Sequence, residues 1–328
     1  MAIAAPQGSV LLKDDSLSNH ISLIQIPGGL QPTAQAQGRQ SPIVTESALA
    51  NMWDYARQVQ AQYDLLVNFA YDWLPFYLTP FFSVPVAHFV SMGSLNDLLD
   101  RAIAQASTQF PGRIGAYSQV QADTFEGLNA RDWEILEYGL EIGRYEYCDR
   151  PDEYLAWVGR ISPEKGLEDA ISAAELARRP LKIFGKLEDT SYWKRLIPLI
   201  EQAQRAVVIE YCGFLETEEL QKQLRKAQAL LMTPKWVEAF GIVAIEALAC
   251  GVPVVAYRRG GPAEIVRDGE NGWLVEPDDV AGLAVAIGRV GEISRWDCRV
   301  GAIAQYTLSA WGQRFERWFC RIVAEQTR

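Results

Sequence analysis

Histidine and cysteine are scarce in this 328-residue chain: two histidines, His20 and His88, and five cysteines at 148, 212, 250, 298 and 320. The cysteines show no C-x-x-C spacing, so a zinc site has no obvious ligands. An odd number of scattered thiols fits a reduced, cytoplasmic setting. Long apolar runs are missing too. Those present are strand-sized and broken by proline, glycine or charge, which excludes an integral membrane helix as a reading. The first residues, MAIAAPQGS, lack a basic region and a long apolar core, so no cleavable signal is expected. Positive charge is scarce in the first half. Residues 1–150 carry 8 Lys+Arg against 16 Asp+Glu, while the remainder carries 23 against 25. Such an acidic half repels nucleic acid and anionic lipid. Any bound anion needs a local cationic cluster in the second half.

What is present is alternation. Apolar stretches at 1–6, 21–26, 64–68, 85–90 and 113–118 read as strands, with helices expected over 45–61 and 95–108 and a long polar loop over 30–42. The pattern continues with strands at 154–158, 181–184, 207–211, 229–232, 253–257 and 273–275. Helices are expected between them, one of them (190–204) kinked or cut short by Pro198. Strands alternating with helices indicate α/β architecture with parallel sheets. A polar stretch over 140–153 reads as a linker, which divides the chain into domains at 1–150 and 151–308 and a final helix at 309–328.

The most informative stretch is Glu238-Ala239-Phe240-Gly241-Ile242, which opens an apolar helix containing Glu246. Glycine permits close approach of a ligand to the backbone. A helix N-terminus suits phosphate, and carboxylates accept hydrogen bonds from hydroxyls. One site favouring both points to a nucleotide sugar. Gly241 argues against one continuous helix, so Glu238 is expected on the preceding loop and Glu246 two turns into the helix. Arg160 and Lys165 bracket a strand-to-helix turn, a natural diphosphate grip, although both could be solvated surface cations. In the first half, His88 is placed at a strand's end, where α/β sheets bind ligands. A hydrogen-bonded structural histidine is the alternative. Tyr71-Asp72-Trp73 also follows a strand, and reads either as core or as a stacking surface for a flat acceptor.

Residues 155–290 resemble glycosyltransferase family 4. The likeness rests on Gly159-Arg160, Lys165-Gly166, Gly185, Cys212-Gly213-Phe214, Glu238 with Glu246, Ala249-Cys250-Gly251-Val252-Pro253-Val254, Gly260-Gly261, Glu264-Ile265-Val266 and Asn271-Gly272. The segments AAPQGSVL, YDWLPFYLTPFF and VPVAHFVSMGSLND more narrowly resemble the cyanobacterial UDP-glucose:tetrahydrobiopterin glucosyltransferases. The resemblance implies a GT-B fold, two Rossmann-like domains facing across a cleft, with a C-terminal helix crossing back to the first. The first strand–glycine loop–helix unit of the family has no counterpart before AAPQGS, so the N-terminal domain is expected to lack it.

By resemblance, Arg160 and Lys165 hold the donor diphosphate, Glu246 the ribose and Glu238 the sugar. Backbone N–H groups of Phe240, Gly241 and Ile242 lie near sugar and phosphate, Gly213-Phe214 forms a donor-side turn, and His88 stands beside the transferred sugar. Transfer would retain configuration and need neither metal nor cofactor, in keeping with the lack of a D-x-D motif in the donor half. The expected partners are UDP-glucose and a small soluble acceptor, a reduced pterin among them, with Tyr71, Asp72 and Trp73 at the acceptor. Transfer to a polysaccharide, and binding of a nucleotide sugar without turnover, are the rival readings.

Overall fold

The structure, a computed structural model, describes residues 1–11, 20–30, 47–128 and 133–326. The expected loop over 30–42 lies outside the described residues from 31 onward, as do the first two residues of the expected helix 45–61. The chain divides into two compact units. The first comprises residues 1–116, 125–134 and 317–328; the second comprises 117–124 and 135–316.

In the first unit, β1 (Ala2–Pro6) and β2 (Ser22–Ile26) pair in parallel as a separate two-stranded sheet. Helix α1 (Ala48–Val59) begins at Ser47, whose hydroxyl accepts from Ala50 N. Its buried Leu49 and Trp53 pack with Val86, and Phe82 meets Trp53 edge-on at 5.3 Å. A second parallel sheet contains β3 (Leu66–Asn68), β4 (Val86–Val90) and β5 (Ile114–Ala116), with a two-residue strand β6 (Glu134–Ile135) at its edge. Helix α2 (Trp73–Leu78) follows β3 and α3 (Asp97–Gln109) follows β4. A one-turn helix α4 (Gln119–Ala122) follows β5 in sequence and belongs to the second unit. Every residue of β4 is buried, which explains its unbroken VAHFV run.

The second unit is a six-stranded parallel sheet. Its strands are β7 (Leu155–Val158), β8 (Leu181–Phe184), β9 (Ile209–Gly213), β10 (Leu230–Met232), β11 (Val254–Tyr257) and β12 (Gly272–Val275). The spatial order is β12-β11-β10-β7-β8-β9, with every pair parallel. This is the doubly wound Rossmann order, in which the direction of winding reverses between the first and fourth strands. Those strands are β7 and β10. Helices α5 (Leu167–Ala177), α6 (Thr190–Ala203), α7 (Thr217–Leu224), α8 (Ile242–Ala249), α9 (Pro262–Ile265) and α10 (Val280–Gly288) connect or follow the strands.

Three expectations need correction. Helix α6 is not cut short, since it runs through Pro198 to Ala203. Pro198 and Lys194 are both exposed, so the carbonyl left without its N–H partner is solvated rather than buried. Residues 140–153 do not link the two units, since both ends lie in the second. Tyr145 is buried, Cys148 N donates to Cys250 O (3.2 Å) and Arg299 donates to Tyr145 O (2.7 Å), so this stretch packs within the second unit. A helix not foreseen, α11 (Arg295–Gln305), starts at Ser294, whose hydroxyl accepts from Asp297 N (3.2 Å). From it Arg295 donates to the carbonyls of Cys148, Arg225 and Ala227. The final helix α12 (Leu308–Gln326) contributes its last residues, from 317 on, to the first unit, where Trp318 is fully buried and donates to Gly112 O (2.8 Å).

Candidate functional site

The loops leaving the carboxyl ends of β7 and β10 meet at the switch point of the second sheet, where open α/β sheets present their ligand sites. They are pressed together tightly enough to dictate glycine. A Cβ on Gly166, which sits at φ +63°, would lie 2.0 Å from Thr233 O. Gly185, after β8, sits at φ +146°, and a Cβ there would lie 1.7 Å from Gly159 O. Polar ties complete the junction. Thr233 Oγ1 donates to Gly166 O (2.7 Å) and Lys235 N donates to Glu164 O (2.9 Å).

The Glu238–Glu246 stretch folds as its glycine requires. Glu238 is on the loop after β10, and Gly241 takes a left-handed conformation (φ +99°) as the N-cap of α8. No side chain caps that end, so its first N–H groups are not satisfied by a cap. Glu246 is reached in the second turn. Phe240 is buried and its ring packs beside Tyr117, Tyr138 and Tyr306, so only its backbone is placed to meet a ligand. Ile242 is exposed. Ser118 Oγ donates to Ala239 O (2.7 Å), and Gly261 N donates to Glu238 O (2.7 Å), so the loop is tethered from two sides.

Lys165 Nζ donates to Glu238 Oε2 and lies 5.1 Å from the centre of the Trp236 ring. The Trp236 indole N–H donates to the same carboxylate oxygen (3.1 Å). Arg160 is shared by Glu188 (2.8 Å) and Glu164 (3.0 Å), and Ser162 Oγ donates to Glu164 (2.7 Å). Both expected phosphate-gripping cations are therefore ion-paired, and an incoming anion would compete with carboxylates for them. Glu246 accepts from the Tyr145 hydroxyl (2.7 Å). Burial raises its pKa above the usual glutamate value, and the tyrosine hydrogen bond opposes that rise. Gly213 (φ +76°) has open space where a Cβ would go, and Phe214 is exposed. Both stand at the end of edge strand β9, tied in by Gly185 N donating to Gly213 O (2.9 Å). The structure thus brings Arg160, Lys165, Glu238, Phe240, Gly241, Ile242 and Glu246 onto the loops around one switch point and the helix that follows β10.

Several contributors are not readable from motifs. Lys235 pairs with Asp169 and with Asp278 (2.9 Å). Arg259 pairs with Asp278 (2.8 Å) and donates to Pro234 O (2.8 Å). Tyr257 donates to Asp169 (2.5 Å). Arg259 and Lys235 together hold the Asp278 carboxyl down to about 2. This network braces the Thr233–Glu238 loop. Its partners come from α5, β11 and the turn after β12, and no local spacing announces them. Tyr145, inside the supposed linker, was hidden for the same reason.

In the first unit the sequence-expected residues are held by internal bonds. His88 is the central residue of β4, not a strand-end residue, and is 1% exposed. Its ring stacks on Phe76 at 4.2 Å. Thr79 Oγ1 donates its proton to Pro75 O (2.9 Å), so the 2.7 Å contact between Thr79 Oγ1 and His88 Nε2 requires the proton on Nε2. Nδ1 is then left to accept from Asn68 Nδ2 (3.3 Å). Both ring nitrogens of His88 thus have partners within the first unit. Asp72 caps α2, accepting from Leu74 N (3.0 Å), and Tyr71 donates to Gly93 O (2.5 Å). Trp73 lies 5.7 Å from Tyr77.

Burial, with the Arg113 charge as a smaller cause, lowers the His88 pKa to about 3. The unfolded chain, with an ordinary histidine near 6.5, therefore binds one more proton than the folded chain between about pH 3 and 6.5. Stability rises with pH across that window and is complete above it. Acidification from pH 7 to pH 5 is expected to cost about 2 kcal/mol through this group. Urea unfolding at the two pH values would check it. His88→Gln should flatten the slope, and an unchanged slope would remove His88 as its source.

Residues 149–295 match the family described as "Glycosyl transferases group 1". The glycogen synthase of Mycobacterium tuberculosis (strain CDC 1551 / Oshkosh) is 36% identical over 166 residues, covering 47% of this chain and 38% of that protein. The D-inositol 3-phosphate glycosyltransferase of Acidothermus cellulolyticus is 34% identical over 275 residues, covering 71% of this chain and 60% of that one. The chain thus spans less than two thirds of the length of these relatives. Among solved structures, Anabaena HepE in complex with UDP is similar with a TM-score of 0.72 at 20% identity, over 92% of this chain and 87% of that one. The sucrose-phosphate synthase of Thermosynechococcus elongatus is similar with a TM-score of 0.72 at 19% identity, over 99% and 89%. At such identities the likeness is one of fold, and the fold is GT-B, built from Rossmann-like α/β units.

Proposed function

We propose that this chain transfers a hexosyl group from UDP-glucose, with retention of configuration, to a small soluble acceptor; the match of residues 149–295 to the group 1 glycosyl transferases supports the reading. The observation that carries the reading is the Lys165–Glu238 pair at the switch point, one turn ahead of a glycine-capped helix that bears Glu246. In this reading Lys165 and Arg160 stabilise the diphosphate as it leaves, where developing charge is lowered most effectively by fixed cations. Glu238 accepts from sugar hydroxyls and Glu246 from the ribose. In this reading the cations of the site take the charge of the leaving diphosphate, and transfer needs no metal ion. A reduced pterin is the acceptor to test first, with Tyr71, Asp72 and Trp73 as its contacts.

A second reading, transfer to a polysaccharide, is favoured by the glycogen synthase among the relatives. Release of UDP from UDP-glucose, measured with tetrahydrobiopterin and with a maltooligosaccharide, separates the two. Glu238→Gln should lower the productive rate at least about a hundredfold. If UDP-glucose binds and no acceptor releases UDP, the chain is a nucleotide-sugar-binding protein and the transferase reading fails.

A further inference from the structure

Trp236 stands outside the motif that defines the site, yet both of its chemical faces are turned to that motif. Its indole N–H donates to Glu238 Oε2 at 3.1 Å, and its ring lies 5.1 Å from Lys165 Nζ. Lys165 also donates to Oε2. Two donors on one oxygen fix the carboxylate plane and orient the second oxygen, Oε1, separately from the pair. A carboxylate so held accepts from a hydroxyl without first losing its own rotational freedom. The backbone supports this geometry. Trp236 follows Lys235, which is clamped by Asp169 and Asp278, and Pro234, whose carbonyl receives Arg259. The indole therefore comes from an anchored loop.

We infer that Trp236 is a positioning residue that separates two tasks of the donor site. Its N–H orients Glu238 for the sugar, and its ring steadies Lys165 for the diphosphate. The inference rests on the donor reading above, because it takes Glu238 as the sugar contact.

The two tasks come apart experimentally. Trp236→Phe keeps a ring under Lys165 and removes the N–H. It should weaken UDP-glucose binding roughly tenfold, as expected for one hydrogen bond to a charged group, while UDP binding stays within about twofold. Trp236→Ala removes both contacts and should weaken UDP as well. Titration calorimetry of each protein with UDP and with UDP-glucose reads the ratio of the two affinities, which a merely structural residue would not move. In a Glu238→Ala background, Trp236→Phe should leave that ratio where Glu238→Ala alone puts it.

An unchanged ratio in Trp236→Phe, an equal loss for both ligands, or additive losses with Glu238→Ala would each overturn the assignment. If the unsubstituted protein binds neither UDP nor UDP-glucose, the donor reading itself has failed and this inference with it. If it binds both and Trp236→Phe keeps the ratio of their affinities, only the role of Trp236 is lost.

Discussion

Lys165→Ala is expected to lower kcat/KM for UDP-glucose by about 10²–10³-fold, the scale seen when one preorganised charge partner is removed from a transfer site. Two losses combine. The diphosphate loses a cation at the switch point, and Glu238 loses its ion pair. The two side chains are only 19% and 18% exposed, so water compensates the orphaned carboxylate poorly. The remaining Trp236 N–H satisfies one oxygen but supplies no charge. Arg160, shared by Glu164 and Glu188, compensates only part of that loss. The double variant Lys165→Ala/Glu238→Gln should be less impaired in UDP binding than the sum of its parts, since the second change removes the uncompensated charge the first creates. Steady-state kinetics and UDP titration give both numbers. Lys165→Ala with kcat/KM within threefold of the parent protein would show that the diphosphate is held elsewhere.

The same pair shows where sequence reading stops. Lys165 and Glu238 each have their own local chemistry, and nothing in a spacing of 73 residues says that they touch. The strands of the second unit were legible because a parallel sheet covered on both faces demands unbroken apolar runs, as in Leu155–Val158 and Val254–Tyr257. The loop-then-helix geometry of Glu238 and Glu246 was legible because Gly241 can cap a helix in a conformation other residues avoid. Tyr145 was not. Its neighbours are polar, and the segment joins the second unit through partners distant in sequence, among them Glu246 on α8 and Arg299 on α11. Helix α11 was obscured by its own charge, because Arg295 and Arg299 point inward to cap carbonyls, against the usual expectation that arginine faces water. His88 differs from its expected place, lying mid-strand rather than at a strand's end. A histidine in a buried strand reads as chemistry, and only the positions of Asn68, Thr79 and Phe76 show that its polarity is already consumed.

Gly261→Ala is expected to cost about 2–4 kcal/mol of stability and, in the same variant, to cut turnover by roughly a hundredfold. Gly261 has φ −54°, an ordinary helical value, so alanine meets no conformational objection there. The obstacle is steric. A Cβ would stand 2.3 Å from Phe240 O and 2.4 Å from Phe240 Cα, both backbone atoms that cannot rotate aside. Either α9 or the Glu238–Phe240 loop must retreat. The loop is held by Ser118 at Ala239 O and by the rings around Phe240, so the strain spreads into the core before it is relieved. Whatever movement results displaces Glu238, whose carbonyl is bonded to Gly261 N at 2.7 Å. A shift of about 1 Å in a positioned group is enough for a hundredfold loss of rate. Gly112→Ala is the comparison that isolates the cause. That residue has φ +76° with nothing within 4 Å of its Cβ, so alanine there pays only the left-handed backbone cost, about 1 kcal/mol. Urea midpoints and UDP-glucose turnover should therefore separate the two variants, with Gly261→Ala failing in both and Gly112→Ala shifted only in midpoint. Equal midpoints would mean that the close approach of Gly261 to Phe240 does not constrain the loop. Glu238 would then be held in place by Lys165 and Trp236 alone.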